Sequence, residues 1–467
     1  MNILLLESHY RTRSWFLALE SLGKIHVMSL LPEEKKIFLS RGVNNKSILN
    51  LYNPNLNLYD YLLAKDYLKE WEREIETSIN EIVLMDRTLR LRDEEYITKY
   101  VYYLVLTIKE FIIANKINIV FSEPTWTHEI IVVKICELLK IKVFALVKDK
   151  ILPNRFFMFE GYKHEKFFIR ERPLNGIELA EKTIQFISNV NQKPQYFGKF
   201  NKRNKFSFSK LKVLYDILKL SFLNNNNINI QPSVIKSIKR KFIAISRAKY
   251  LSHFGPFIKQ EDIKSEYILI TLHVQPEMTI DVLGGKFSNQ LDFIRQVVRT
   301  TPMEYLIVVK EHPHSFGDRS SNFYKELLSM PRVMLLAPFE DGRKAIKKSK
   351  LVLTNTGTSS LEASVMGIPG ITATNMYFSD LMLIPSFNPS IDRVDEALLR
   401  VDSWNDTFSR AKTKAILSDI LENSFEGNCL DFKTDPSVLD KSNINNLRNA
   451  FSEVIESNKK KSYENFV

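Results

Sequence analysis

Cysteine is scarce in this chain, which has only Cys136 and Cys429 among its 467 residues. Two cysteines are too few for a disulfide framework or a thiolate metal site. Long apolar runs are missing as well, because the best candidate, YVYYLVLTIKEFIIANKINIVF, is interrupted by Lys109, Glu110 and Lys116. No window reaches the roughly 18 uninterrupted apolar residues that a membrane-spanning helix needs. These absences predict a soluble protein of a reducing compartment, and we expect it in the cytoplasm.

A positively charged segment is absent ahead of the short apolar run in MNILLLESHYRTR. This run therefore predicts a first strand and not a signal peptide. Hydrophobic residues make up 44% of the chain, which is enough for packed cores and excludes general disorder. A chain of this length predicts two large domains.

Basic residues are in excess, and the formal net charge is +12. They concentrate between residues 198 and 250 and in the tail NKKKSYENFV. Three interpretations remain open: a solvated surface in a chain rich in Lys and Asn, peripheral attachment to an anionic membrane, or nucleic-acid binding. We expect no nucleic-acid partner, because the sequence contains no recognisable nucleic-acid-binding motif.

Strand and helix patterns alternate twice along the chain, which predicts an α/β fold with two Rossmann-like domains and a cleft between them. We place an N-terminal Rossmann-like domain at 1–160 and a basic helical insertion and connector at 161–262. A C-terminal Rossmann-like domain follows at 263–425, and a helix with the basic tail at 426–467.

Polar segments follow four predicted strands of the second domain: HVQPE (273–277), KEHPH (310–314), APFED (337–341) and NTGTSS (355–360). Ligands of such sheets bind at the carboxyl ends of the strands, so these segments predict a ligand site. The last of them opens a helix, where free backbone N–H groups and the helix dipole favour a phosphate. The alternative is a capped strand–helix turn, with Thr358 or Ser359 as N-cap.

HVQPE…GG…NQ, VVKEHPHSFGDR, VMLLAP and TNTGTSSLEASVMGIPGI resemble the glycosyltransferases of capsule and surface-polysaccharide biosynthesis. Relatives of that family transfer Kdo, pseudaminic acid and related acidic sugars. The resemblance covers residues 265–380 well, and covers the first domain only loosely, through LMDRTLRLRDEE, FSEPTWTHE and LPNRFFMFEG. It implies a GT-B fold, with the donor nucleotide in the C-terminal domain and the acceptor in the N-terminal domain.

The resemblance also implies a donor site. It would be formed by His273, Lys310, His312, Pro313, Thr356, Gly357, Thr358, Ser359, Ser360 and Glu362. Lys310, His312 and the helix start would stabilise the leaving phosphate, as a His-Pro and a paired Ser/Thr element do in enzymes that use CMP-activated sugars. Glu362 would accept from ribose hydroxyls, or would only complement the helix dipole. The sequence lacks a suitable D-x-D metal motif, so we expect transfer without a metal or any other cofactor.

The catalytic acid has two candidates. Kdo-type relatives carry a Gln-x-x-x-Asp pattern, whereas this chain has Gln275, Glu277 and Asp281. Glu277 is favoured over Asp281 as nucleophile or base, and Glu277 would otherwise only orient Gln275 or His273.

In the first domain, SEPTWTHE follows a predicted strand and presents Trp126, His128 and Glu123 to an acceptor, and Glu123 is a further catalytic candidate. Arg155 is a further acceptor-binding candidate. A capped helix start with Thr127 as N-cap is the alternative interpretation of this segment.

The favoured function is metal-independent transfer of an acidic ulosonic or nonulosonic sugar from a CMP-linked donor to a lipid-linked glycan. We expect it in the cytoplasm or at the inner face of the membrane. The alternatives are a polyol-phosphate transferase of teichoic-acid type and a non-catalytic factor of polysaccharide assembly or export.

Overall fold

The computed structural model describes residues 1–6, 12–30, 32–189, 234–401, 403–404, 410–432 and 435–464. The chain divides into two compact units, unit 1 with Met1–Asn175 and Leu421–Val467, and unit 2 with Gly176–Ile420. Of the predicted insertion, residues 161–175 belong to unit 1 and 176–262 to unit 2. Most of its basic stretch (190–233) and the end of the tail (465–467) lie outside the described residues.

The strands of unit 1 are β1 (Asn2–Leu6), β2 (Lys24–Ser29), β3 (Ile48–Asn50), β4 (Ile119–Ser122), β5 (Lys142–Lys148), β6 (Arg155–Glu160) and β13 (Phe425–Glu426). Its helices are α1 (Thr12–Leu19), α2 (Pro32–Ser40), α3 (Tyr61–Glu74), α4 (Ile79–Met85), α5 (Glu94–Ala114), α6 (Thr127–Leu138) and α16 (Lys441–Glu464). The sheet order is β13-β6-β5-β4-β1-β2-β3. The central strands therefore follow the 3-2-1-4-5 order of a Rossmann sheet.

The alternation of strand and helix in the first domain predicts a parallel sheet, but the sheet of unit 1 is antiparallel at one edge. β6 is antiparallel to β5, and β13 is antiparallel to β6. Only six residues join β5 to β6, which is too short for a crossover connection. Asn154, with φ of 55°, turns the chain within this connection.

The segment DYLLAKDYLKEWEREIETSINEIV belongs to a predicted long helical region, and in the structure it forms two helices. Glu76 adopts a left-handed conformation with φ of 49°, and the Ser78 side chain caps α4 by accepting from the N–H of Glu81 at 3.0 Å. The helix therefore divides into α3 and α4.

The core of unit 1 includes its C-terminal helix. Leu447, Phe451 and Val454 of α16 are fully buried in the same cluster as Trp15 and Phe121. The rings of Phe121 and Phe451 meet edge to face with centroids 4.7 Å apart. The end of the chain thus completes the fold of unit 1.

The strands of unit 2 are β7 (Phe257–Ile258), β8 (Tyr267–Thr271), β9 (Leu306–Lys310), β10 (Val333–Leu336), β11 (Leu351–Thr354) and β12 (Gly370–Thr372). Its helices are α7 (Gly176–Ser188), α8 (Val234–Phe254), α9 (Met278–Asp281), α10 (Gln290–Thr300), α11 (Ser321–Leu328), α12 (Gly342–Lys348), α13 (Thr358–Val365), α14 (Val394–Leu399) and α15 (Arg410–Leu421). The sheet is parallel in the order β12-β11-β8-β9-β10-β7, which again contains 3-2-1-4-5. The two Rossmann-like folds predicted by the α/β pattern are confirmed.

Alternation along β8 builds the core on both faces of the sheet of unit 2. Ile268 and Ile270 pack into one apolar cluster, while Tyr267 and Leu269 pack into another on the opposite face. A parallel strand that is covered on both sides has a continuous apolar sequence, as YILIT does.

In the described part of the chain, we find no helix with the length and apolar content of a membrane span.

Candidate functional site

The sheet of unit 2 has its topological switch point between β8 and β11. The chain runs from β8 to β9 and β10 on one side, and returns to β11 and β12 on the other. In open α/β sheets the crevice outside the carboxyl ends of two such strands is where ligands bind. The register aligns Thr271 with Lys310, and Ile270 with Leu353. The segments that follow these strands therefore lie at one edge, as predicted.

His273, just after β8, connects the two strands of the switch point. Its Nε2 lies 3.0 Å from Thr354 Oγ1 and 3.4 Å from the backbone N of Thr356. Gln290 Oε1 accepts from the His273 N–H at 2.7 Å. Burial, with a smaller contribution from the charge of Arg319, lowers the pKa of His273 to about 4. The imidazole is therefore neutral near pH 7 and accepts through Nε2.

The start of α13 carries no side-chain cap. Its N-cap is Gly357, so the expected capping by Thr358 or Ser359 is wrong. Within the described residues, the backbone N–H groups of Thr358 and Ser359 have no acceptor. A Cβ at Gly357 would lie 2.5 Å from Thr354 Oγ1 and 3.2 Å from His273 Cε1, so only glycine fits there. The turn combines close packing with free donors, which is the arrangement that favours an anion.

The hydroxyls around this turn have different surroundings. Ser359 Oγ lies 2.6 Å from Thr271 Oγ1, and both side chains are partly exposed at the crevice. Ser360 is buried and donates to Ile371 O of β12 at 2.8 Å. Thr356 donates to Thr279 O at 2.8 Å. Ser360 and Thr356 therefore stabilise the turn through their hydroxyls, whereas Ser359 faces the crevice.

His312 is the N-cap of a short 3-10 helix that begins at Pro313. Its Nδ1 accepts from the His314 N–H at 3.1 Å, which leaves the proton on Nε2. Burial and the nearby His314, Lys310, His273 and Arg319 lower the pKa of His312 to about 3. The side chain is only partly buried, so a neutral ring presents an Nε2–H donor.

Lys310 ends β9 with its ammonium group turned toward the end of β10. Nζ donates to Pro338 O at 2.9 Å, and the side chain is buried. Burial lowers the pKa of Lys310 to about 8, which is still high enough for a mostly protonated amine near pH 7. Lys310 therefore supplies positive charge next to the crevice.

The structure contains a buried ion pair next to His312 that was not predicted from the sequence. Glu311 is fully buried, and its carboxylate accepts from Arg319 Nε, Tyr324 Oη and the His312 N–H at 2.8, 2.8 and 2.7 Å. Arg319 also donates to His273 O. One guanidinium thus joins the segment after β8 to the segment after β9. In the sequence, this ion pair is indicated only by the charged residues Lys310 and Glu311 at the end of a strand, because Arg319 lies eight residues after Glu311.

The candidate acids differ in accessibility. Asp281 is buried, and its Oδ1 accepts from Gln275 Nε2 at 3.0 Å. Glu277 is partly exposed, and its Oε2 accepts from Thr279 Oγ1 at 3.1 Å. Gln290 is buried and donates to Gln275 Oε1 at 3.0 Å. The geometry gives Asp281 a structural partner and leaves Glu277 open to a ligand.

Glu362 is engaged in an ion pair. Arg343 Nε donates to its Oε2 at 3.1 Å, and the same guanidinium donates to Phe186 O at 2.8 Å. Burial raises the pKa of Glu362, while Arg343 opposes the shift. The ion pair connects α13 to α12, and the Arg343 guanidinium also connects α12 to α7.

In unit 1, carboxylates of the protein already accept from the N–H groups at the start of the corresponding helix, α6. Trp126, not Thr127, is the N-cap of α6, and Glu129 Oε2 accepts from the N–H groups of Thr125 and Trp126 at 2.6 and 3.0 Å. Asp86 Oδ2 accepts from the Thr127 N–H at 3.1 Å. Two carboxylates therefore occupy the place that an anion would take.

The other candidates of unit 1 are of mixed exposure. Trp126 is partly exposed and stacks under Arg87, whose Cζ lies 4.9 Å from the ring centroid. Glu123 is partly exposed at the end of β4, whereas His128 is buried on α6. Arg155 is buried and donates to Ser424 Oγ at 2.9 Å. Trp126 and Glu123 are thus the accessible members of this set.

Among the described residues, no group of His, Cys, Asp or Glu is arranged to hold a metal ion.

No protein-family model and no curated protein matches the sequence.

The chain is similar, at low identity, to several solved structures. The Methanocaldococcus jannaschii UDP-GlcNAc 2-epimerase in complex with UDP-GlcNAc and UDP is 12% identical, with 90% of this chain and 99% of that chain covered and a TM-score of 0.28. KpsC of Thermosulfurimonas dismutans, a β-Kdo 2,7-transferase, is 12% identical over 74% of this chain and 89% of that one, with a TM-score of 0.32. Anabaena Alr3699/HepE in complex with UDP and glucose is 11% identical over 98% and 100%, with a TM-score of 0.26.

The titration of His312 should appear in the pH dependence of stability. Its pKa is lower in the folded chain than the ordinary 6.5, so the unfolded chain binds more protons below about pH 6.5, and stability falls as the pH falls. His312→Asn keeps a capping acceptor but cannot titrate. We expect the loss of unfolding free energy between about pH 7 and about pH 5 to shrink by on the order of 1 kcal/mol. Urea denaturation at both pH values measures it, with exposed His253→Asn as the control; an unchanged pH dependence in His312→Asn would contradict the assignment.

Removal of Arg319 should destabilise unit 2 strongly, because it leaves the Glu311 carboxylate buried without its ion pair. We expect Arg319→Ala to lower the free energy of unfolding by about 3 to 5 kcal/mol. Tyr324→Phe removes one neutral donor and should cost about 1 kcal/mol. The control is Arg295→Ala, which breaks an exposed pair with Asp292 and should cost less than about 1 kcal/mol. Equal effects of Arg319→Ala and Arg295→Ala in urea denaturation would show that the buried pair has no special weight.

Proposed function

We propose that this protein is a glycosyltransferase of surface-polysaccharide biosynthesis. It transfers an acidic ulosonic or nonulosonic sugar from a CMP-activated donor to a lipid-linked glycan at the inner face of the cytoplasmic membrane, without a metal. The observation that carries the proposal is the uncapped start of α13 at the switch point of unit 2, with neutral donors arranged around it.

The donor phosphate lies against the free N–H groups of Thr358 and Ser359. A leaving nucleotide develops negative charge, and preorganised donors stabilise that charge best where water is excluded. The Ser359 hydroxyl and the His312 Nε2–H are two further donors. Lys310, at the end of β9, supplies positive charge. His273 is neutral and shapes the turn, since its Nε2 is taken by Thr354 and Thr356.

Glu277 acts on the sugar as nucleophile or base. It is the accessible carboxylate after β8, while Asp281 is buried against Gln275. Unit 1 binds the acceptor through Trp126 and Glu123, because its helix start is already filled by Asp86 and Glu129 and suits a neutral sugar better than a phosphate.

The start of α13 can be tested by calorimetry with CMP, UDP, GDP and CDP. Gly357→Ala places a Cβ against Thr354 and His273 and should abolish binding of the preferred nucleotide. Gly342→Ala is the matched control at the start of α12, where a Cβ would meet only Lys310 Cε at 3.7 Å. In turnover assays, Ser359→Ala and His312→Asn should each lose about a hundredfold in rate, or about 3 kcal/mol of barrier. Glu277→Gln should abolish transfer while the nucleotide still binds.

The opposite pattern would contradict the proposal. If Ser359→Ala and His312→Asn stay active but unfold at lower temperature, the segment is a structural turn. Hydrolysis of CDP-glycerol in preference to CMP-sugars would indicate the polyol-phosphate transferase, and the absence of binding by all four nucleotides would indicate a non-catalytic factor.

Metal independence is tested by chelation. Because charge stabilisation is assigned to backbone N–H groups, His312 and Lys310, transfer should continue at an unchanged rate after dialysis against EDTA. A loss of activity that magnesium restores would show that a cation does this work.

A further inference from the structure

Helix α8 is strongly basic. Residues 234–254 contain Lys236, Lys239, Arg240, Lys241, Arg247 and Lys249, and no Asp or Glu. A helix of this composition with apolar side chains among the cations is typical of segments that lie on an anionic lipid surface.

One side of α8 is firmly attached to unit 2. Leu251 is buried, and Arg247 Nη1 donates to the carbonyls of Gly317, Asp318 and Arg319 at 3.2, 3.0 and 2.7 Å. Gly317, with φ of 92°, allows the close approach of the helix, since a Cβ there would lie 2.8 Å from Ala248 Cβ. The helix is therefore fixed in orientation, and its other side faces away from this contact.

The outer side of α8 exposes large apolar side chains. Phe242 is 70% exposed and Ile245 67%. Tyr250 and Phe254 are also exposed, but they lie about 80° and about 120° around the helix from Phe242 and are not part of this side. With about 3.6 residues per turn, Phe242 lies opposite Leu251, and Ile245 and Lys249 continue the same stripe. Large apolar side chains grouped in this way on a soluble surface mark an interaction site.

Charge identifies what covers this side. Lys239, Lys241 and Lys249 are exposed beside the apolar stripe. Aromatic rings at headgroup depth and cations beside phosphates are the contacts that a bilayer surface offers.

We propose that α8 is the membrane-docking surface of this protein and lies in the headgroup region of an anionic bilayer. Phe242 and Ile245 enter the interface, and Lys239, Lys241 and Lys249 contact lipid phosphates. The docking agrees with the lipid-linked acceptor proposed above but does not depend on it, because binding to vesicles needs no substrate.

The test uses the full chain and sedimentation with vesicles, either of phosphatidylcholine alone or of equimolar phosphatidylcholine and phosphatidylglycerol. The protein should sediment with the anionic vesicles only, and added salt should release it. Phe242→Ser with Ile245→Ser should weaken binding by roughly tenfold or more. Lys239→Gln with Lys249→Gln should weaken it by about 25-fold, since each cation near the surface contributes about fivefold.

Matched controls separate docking from general effects. Leu399→Ser removes a side chain that is 82% exposed elsewhere in unit 2, and Lys347→Gln with Lys348→Gln removes the same charge from α12. Both should bind vesicles like the unchanged protein. The proposal is overturned if the α8 variants bind as well as the controls, or if both vesicle types bind equally. It is also overturned if the Phe242 and Ile245 variant only converts a self-associated form to a monomer, since the surface would then pair two copies of this chain.

Discussion

The carboxylate of Glu311 accepts hydrogen bonds from Arg319, Tyr324 and the His312 N–H, and no part of it is exposed to water. Because Arg319 also donates to His273 O, this one pair fixes the segments after β8 and β9 relative to each other. Arg247 extends the arrangement to α8 through the carbonyls at 317–319. Burial of an unpaired carboxylate is costly, so the network is stable only when all its members are in place. The positions of His273 and His312 depend on it.

Two helices of similar setting begin in opposite ways. Both α6 and α13 follow the fourth strand of a 3-2-1-4-5 sheet, where ligands of such folds bind. The start of α6 is filled by Glu129 and Asp86, whereas α13 begins with a glycine and free N–H groups. The helix dipole attracts negative charge in both cases. In unit 1 the protein supplies that charge itself, whereas no carboxylate among the described residues accepts from the first N–H groups of α13.

Two neutral histidines lie at the carboxyl edge of the sheet of unit 2. His273 and His312 are both held neutral by burial, and their hydrogen bonds determine which nitrogen carries the proton. A neutral donor fixed before the reaction needs no reorganisation when charge develops. The nearby charge comes from Lys310, whose amine remains mostly protonated near pH 7.

The sequence by itself determined the α/β class, the two Rossmann-like folds and the four polar strand ends, because apolar runs and turn residues are local signals. It also predicted that the turn at 354–360 binds a phosphate, because glycine and small polar residues follow an apolar strand there, and this stays a prediction. It did not determine that Gly357 is the N-cap, that Asp281 is occupied by Gln275, or that Arg155 is buried against Ser424. The partners in these contacts come from other elements, 269 residues apart for Arg155 and Ser424. Only the tertiary structure decided which polar side chains form hydrogen bonds within the fold and which, such as Glu277 and Ser359, remain accessible. The reason is that these contacts depend on distances between elements, which no local sequence pattern encodes.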